Sequence, residues 1–187
     1  MSKMIIDREL LESPLTGIEF AAYLSAADLG TVWRDNIVLC DISIYYNMTG
    51  KMPNPKQRID LNEALLELIG EGHLVAEVVT RGVYLIDCKK SFLYDLDNLP
   101  RGGTTIIFDN VRKIIASDKY WQGMLRYYLM LVSHQRNGKA CAFSRQYFSQ
   151  KLGICELTLS KYNTKLKELG VIDVVRRKNS TSIYKIT

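Results

Sequence analysis

Between residues 144 and 170, apolar side chains recur at intervals of three and four. Leu159, Tyr162, Leu166 and Leu169 fall on one face of a helix predicted over about 156–169. A shorter helix precedes it, opened by Ser144 as N-cap and closed at the tight turn Leu152-Gly153-Ile154. Residues 171–176 and 182–186 then alternate as two strands, separated by the basic tip Arg177-Lys178-Asn179-Ser180-Thr181. The pattern predicts helix, tight turn, helix and hairpin.

The same order recurs upstream in a fainter form. Ser13-Pro14 reads as an N-cap with proline at the first helical position. Leu15, Ile18, Phe20, Ala22, Tyr23 and Leu24 follow at mostly helical spacing, and Gly30 is the expected stop. Residues 37–46 admit two readings. Their β-branched side chains favour a strand, and their place in the order favours a helix. Residues 51–58 form a loop with two prolines and the basic Lys51, Lys56 and Arg58. Asp60-Leu61-Asn62-Glu63 has the spacing of a capping box. The helix it opens runs through Leu65, Leu66, Leu68 and Ile69 to Gly70 or Gly72. Residues 74–80 and 83–88 alternate about Arg81-Gly82 as a hairpin.

Between the two patterns, Asp118 is placed to cap a helix reaching about Gln135, with Trp121, Met124, Leu125, Tyr128, Leu129 and Val132 on one face. A polar turn at 136–139 and a short strand at 140–143 complete the order. The turn formers at 95–104 mark a linker. The expected fold class is α+β, mainly α, built as tandem winged-helix domains. Residues 1–98 form the first, 99–106 the linker and 107–187 the second.

Charge divides at the same place. The net charge is +5, but residues 1–100 hold nine Lys+Arg against fifteen Asp+Glu, whereas 101–187 hold sixteen against five. A field that positive on the second half attracts a polyanion. In the first half Glu63, Glu67 and Glu71 lie four residues apart and place like charges along one helix stripe. That stripe is costly against phosphates, so the first half is expected to serve in dimerisation, partner binding or a weak DNA contact.

Other chemistry has little to build on. The chain is 47% hydrophobic and 24% charged, with no run of about 18 apolar residues. Its first nine residues lack the apolar stretch of a secretory signal. The expected location is the cytoplasm, with no membrane partner. Cys40, Cys88, Cys141 and Cys155 are too widely spaced for a zinc site, and the histidines are His73 and His134. Reduced thiols, mostly in the core, are expected. No phosphate-binding glycine loop occurs. The expectation is therefore a non-enzyme without metal or cofactor.

The basic second half supplies a set of DNA-contacting residues. Ser144, Arg145 and Gln146 open a helix, where backbone N–H groups and a cation suit a phosphate. Thr158, Lys161, Thr164 and Lys165 lie opposite the apolar face of the next helix, where lysine and threonine can reach base edges or phosphates. Arg176, Arg177 and Lys178 at the hairpin tip can grip the backbone or the minor groove. Lys51, Lys56, Arg58 and Arg81 form a secondary set in the first half. Two residues depart from this pattern: Cys155 stands where serine or threonine caps better, and Leu157 is apolar on the outer face. A lysine-bearing outer face also serves as plain solvated surface, and winged helices also dock proteins.

The run from Leu152 to Ile172, with Leu152-Gly153-Ile154, Ser160-Lys161-Tyr162 and Glu168-Leu169-Gly170-Val171-Ile172, resembles winged-helix proteins of Gram-positive phages, plasmids and integrated elements. These include replication initiators, DnaD-type primosomal proteins and transcriptional regulators. The resemblance covers about residues 108–187. It implies double-stranded DNA as partner, replication or transcription proteins as further partners, and Thr158, Lys161 and Lys165 as groove-facing positions. A homodimer is also compatible with it, as is the alternative of a protein-docking adaptor.

Overall fold

The chain runs twice through one order of elements. The structure, a computed structural model, describes residues 3–33, 37–40, 42–92, 104–117, 119–135, 140–176 and 181–187. The first run is β1 (Lys3–Ile6), α1 (Arg8–Glu12), α2 (Gly17–Trp33), β2 (Ile37–Cys40), α3 (Ile42–Thr49), α4 (Pro55–Gly70), β3 (Ala76–Thr80) and β4 (Val83–Asp87), followed by the short α5 (Cys88–Ser91). The second is β5 (Thr104–Ile107), α6 (Phe108–Ile115), α7 (Trp121–Ser133), β6 (Cys141–Ser144), α8 (Arg145–Leu152), α9 (Glu156–Glu168), β7 (Ile172–Arg176) and β8 (Thr181–Ile186). The fold is mixed α+β and mainly helical, as the sequence pattern predicts. Each run builds a three-stranded antiparallel sheet with the same connectivity, β2-β4-β3 and β6-β8-β7.

The two runs also leave their long surface helices in the same way. After α4, Gly72 at φ 77° lets the His73 N–H reach the Leu68 carbonyl at 2.9 Å. After α9, Gly170 at φ 67° lets the Val171 N–H reach the Leu166 carbonyl at 3.1 Å. A left-handed residue at this point closes the helix and turns the chain into the hairpin, and only glycine takes it without steric cost.

The runs meet through equivalent elements. β1 pairs antiparallel with β5, Lys3 opposite Ile107 and Ile6 opposite Thr104. These strands hold the same place in each run, so the ladder relates the runs as a local two-fold would. α2 continues the junction. Residues 19–28 are all buried, and the small Ala21, Ala22, Ala26 and Ala27 let neighbours approach on several sides. At its start Gly17 lies against the backbone of Gln122 in α7, where a Cβ would overlap main-chain atoms. One core therefore joins Phe20, Leu24 and Leu68 of the first run to Phe108, Leu129 and Phe148 of the second. Of the expected linker at 99–106, Ile106 is buried in this core. The linker residues from Thr104 belong to β5, and 99–103 lie outside the described residues.

Several predicted boundaries move. Ser13 closes α1 instead of opening α2: its hydroxyl and its N–H both donate to the Leu10 carbonyl, at 2.6 and 3.1 Å. α2 is opened by Thr16, whose N–H donates to the Glu19 carboxylate at 2.5 Å. The Glu19 N–H points back to the Thr16 hydroxyl at 3.4 Å. Gly30 does not stop this helix, which continues to Trp33. α4 starts earlier than the box expected at Asp60. Asn54 Oδ1 accepts the Gln57 N–H and Gln57 Oε1 accepts the Asn54 N–H, each at 2.9 Å. Pro55 sits at the first helical position, where its missing N–H costs nothing. The ambiguous 37–46 segment is both things in turn, the strand β2 and then the helix α3. β1, α1, α5, β5 and α6 are additions that the hydrophobic pattern did not predict. Asp118 and the turn at 136–139 lie outside the described residues. No helix among the described residues is long and apolar enough to cross a membrane.

Candidate nucleic-acid interface

The α8–turn–α9 unit is fixed from both ends. The Ser144 hydroxyl accepts the Tyr147 N–H at 3.1 Å and caps α8. Gly153, at φ 67°, closes it in the left-handed region. The turn is locked by the Ile154 N–H on the Ser149 carbonyl at 3.2 Å and by the Ser149 hydroxyl on the Ile154 carbonyl at 2.6 Å. α9 then buries Leu159 and Leu166 completely. Tyr162 is half-buried, with its hydroxyl against Gly123 of α7. The Tyr127 hydroxyl of α7 donates to Asn163 Oδ1 at 2.9 Å, and its ring meets Phe148 edge-on at 5.4 Å. Burial pushes the Tyr127 phenol well above its ordinary pKa, so it remains a donor. Core packing and the part-buried Tyr127–Asn163 hydrogen bond thus help to set the orientation of α9.

This scaffold presents the expected contacts unequally. Lys161 and Thr164 are exposed on the outer ridge of α9. Lys165 is half-buried and pairs with Glu168 at 3.1 Å. The half-buried Thr158 hydroxyl lies 3.2 Å from the Cys155 sulfur. Ser144 spends its hydroxyl on the cap, whereas Gln146 is exposed. Arg145 and Thr164 are brought together in a groove between α9 and the sheet, lined also by Ser160, Asn163, Lys167 and Ser182. Arg176 ends β7. Its side chain, and Arg177 and Lys178 altogether, lie outside the described residues.

Sequence reading missed Lys167, Ser160 and Asn163. It divided α9 into a core face and an opposite face. These three sit on the flank between them, turned toward the strand that carries Val174. The signal was in the sequence. Successive residues are 100° apart on a helix, so 160, 163 and 167 form one stripe beside the outer ridge, with Thr164 at the border of the two.

In the first run Lys51, Lys56, Arg58 and Arg81 are all exposed. Arg58 and Arg81 line one groove between α4 and the β3–β4 turn, with Ile59, Asn62, Glu63 and Tyr84; Lys51 and Lys56 are not part of it. The outer face of α4 carries Glu63, Glu67 and Glu71, exposed beside Ile59 and Leu66. The equivalent helices of the two runs thus differ in character, α4 acidic and apolar, α9 basic and polar.

Cys155 is the N-cap of α9 and its side chain makes no capping hydrogen bond to the helix. Its pKa is lowered, first by the Thr158 hydroxyl and then by the Thr158 and Leu157 N–H groups at the helix start. Cys40, Cys88 and Cys141 are buried free thiols, and burial pushes Cys141 up to about 11. Leu157, in the first turn of α9, is 68% exposed. Among the described residues no cluster of three or more His, Cys, Asp or Glu could hold a metal ion.

No protein-family model matches this chain, and no curated protein matches it by sequence.

Proposed function

We propose that this chain is a non-catalytic, cytoplasmic double-stranded DNA-binding protein made of two winged-helix units. Its role is replication initiation or transcriptional regulation on a phage, plasmid or other mobile element. The carrying observation is the constellation on the second unit. The exposed Lys161 and Thr164 of α9 stand beside the Arg145–Lys167 groove, on a half with net charge +11. A helix of this kind fits the major groove, with the hairpin beside it on the backbone. The repeated element order and the shared sheet connectivity support the two-unit reading.

Fluorescence anisotropy with a random 30-base-pair duplex tests it. Binding at low salt that weakens steeply as salt is added supports the reading; no binding at low salt overturns it. Lys161→Ala removes an exposed α9 side chain and lowers preference between sequences, whereas Arg145→Ala weakens all duplexes alike.

A protein-docking role fits the first unit better than DNA does. The observation that favours it is the pairing of Ile59 and Leu66, 55% and 46% exposed, with the glutamate stripe on α4. On this reading the first unit recruits a replication or transcription protein, or a second copy, while the second unit holds DNA.

A further inference from the structure

A third concave site, sharing no lining residue with the α9 groove or the α4 groove, is lined in part by α8. It is a cleft of about 340 Å³ where the two runs meet. Leu11, Phe20, Met130 and Leu152 give it apolar walls, and Arg126 of α7 and Lys151 of α8 line it with two cations. Neither cation has a carboxylate partner among the described residues. Glu12 of α1 also reaches the cleft, but its carboxylate is held by Arg8 at 2.8 Å.

The polar floor is fixed. His134 Nδ1 stands 2.8 Å from the Met130 carbonyl oxygen. A carbonyl only accepts, so Nδ1 carries the proton in the neutral ring. Nε2 therefore accepts, and the Tyr147 hydroxyl donates to it at 2.7 Å. Phe143, Tyr147 and Phe148 pack around the imidazole with centroids 4.8, 5.4 and 6.0 Å away, so this floor does not reorganise cheaply.

We propose that this cleft is a binding site for a small organic anion, an aromatic carboxylate or phosphate monoester. Its ring lies on the apolar walls and its charge between Arg126 and Lys151. The cleft is at the small end of the ligand-site range, room for a single ring with its acid group. Two cations without a carboxylate partner among the described residues, facing one partly apolar cleft, favour an anion over a neutral molecule of the same shape. The site does not depend on how α9 is used.

Histidine NMR tests this on the full chain, because the chain has two histidines. His134 floors the cleft, and His73 lies at the far end of α4, near Glu71. The probes are benzoate, phenyl phosphate, benzyl alcohol and inorganic phosphate. Benzoate and phenyl phosphate are expected to shift the His134 ring signals saturably and leave His73 in place. Benzyl alcohol and inorganic phosphate should bind at least tenfold more weakly. Arg126→Gln with Lys151→Gln, both partly or fully exposed positions, should weaken benzoate at least fivefold with an unchanged circular dichroism spectrum. Lys151→Gln alone, at an exposed position, serves as a second variant if that pair does not fold, and is expected to weaken benzoate; unchanged affinity overturns the proposal. No saturable His134 shift with either aryl anion overturns the proposal. So does equal affinity for all four probes, or binding unaffected by loss of the two cations.

Discussion

Arg112 of α6 closes its guanidinium on the carboxylate of Asp28 of α2, a side chain only 2% exposed. The pair bridges the two runs of the chain. Asn47 of α3 donates to the same carboxylate at 3.1 Å, and Asp109 holds the other arm of Arg112 at 3.2 Å. Removing the arginine takes this cation from a buried carboxylate, at a cost of about 3 kcal/mol. Arg112→Ala is therefore expected to lower stability by about that amount in urea unfolding. Replacing both partners with apolar residues, Asp28→Leu with Arg112→Met, is expected to cost less than the single change. A single variant as stable as the parent would contradict the bridging role.

Gly123 reverses an ordinary rule. In an exposed helix, glycine to alanine gains about 1 kcal/mol. Here a Cβ would overlap the Tyr162 hydroxyl, which packs α9 onto α7. Overpacking costs about 1–3 kcal/mol, so Gly123→Ala is expected to destabilise. Adding Tyr162→Phe removes the overlapping oxygen and should recover part of the loss, the ring carbons still lying 3.0 and 3.3 Å from the new Cβ. Thermal unfolding of the two variants checks the sign.

The thiols should separate by reactivity. Cys155 is exposed with a lowered pKa, whereas Cys40, Cys88 and Cys141 are buried. The thiolate is the nucleophile, so its lowered pKa gives Cys155 more reactive form at neutral pH than an ordinary exposed thiol has. Iodoacetamide is expected to label Cys155 first, with a rate that levels off at lower pH than for a free cysteine peptide. Peptide mass mapping reads the site. Labelled protein should also lose DNA affinity, because the adduct stands at the start of α9. Equal labelling of Cys141 would contradict the burial pattern.

The helix–turn–helix and hairpin of the second run were legible because their signals are strong and local. Ser144, Gly153 and Gly170 are caps with fixed offsets, and Leu159, Tyr162, Leu166 and Leu169 keep helical spacing. The start of α4 was misread because two capping boxes lie close together. The Asn54–Gln57 box prevails because Pro55 presets the first helical φ. α2 was misread at both ends: Ser13 resembles a cap, and Gly30 resembles a stop. Tertiary burial carries the helix through Gly30, where local propensity alone would end it. β1 has a buried Met4 and Ile6, but four residues are too few to declare a strand without the β5 partner. The groove beside α9 was only half legible, since Lys167 acts there through the neighbouring sheet, which no helix pattern reveals.

The second unit is proposed to hold duplex DNA through its cations, and the salt dependence of affinity reads that hold. Anisotropy titrations of a fluorescent duplex between 50 and 300 mM potassium chloride give the slope of log affinity against log salt. About four to six phosphate contacts from Arg145, Lys161, Lys167 and the hairpin tip predict a slope of roughly −4 to −5. Arg145→Ala should flatten it by about 1. A slope near zero, or no binding at 50 mM, would contradict the account.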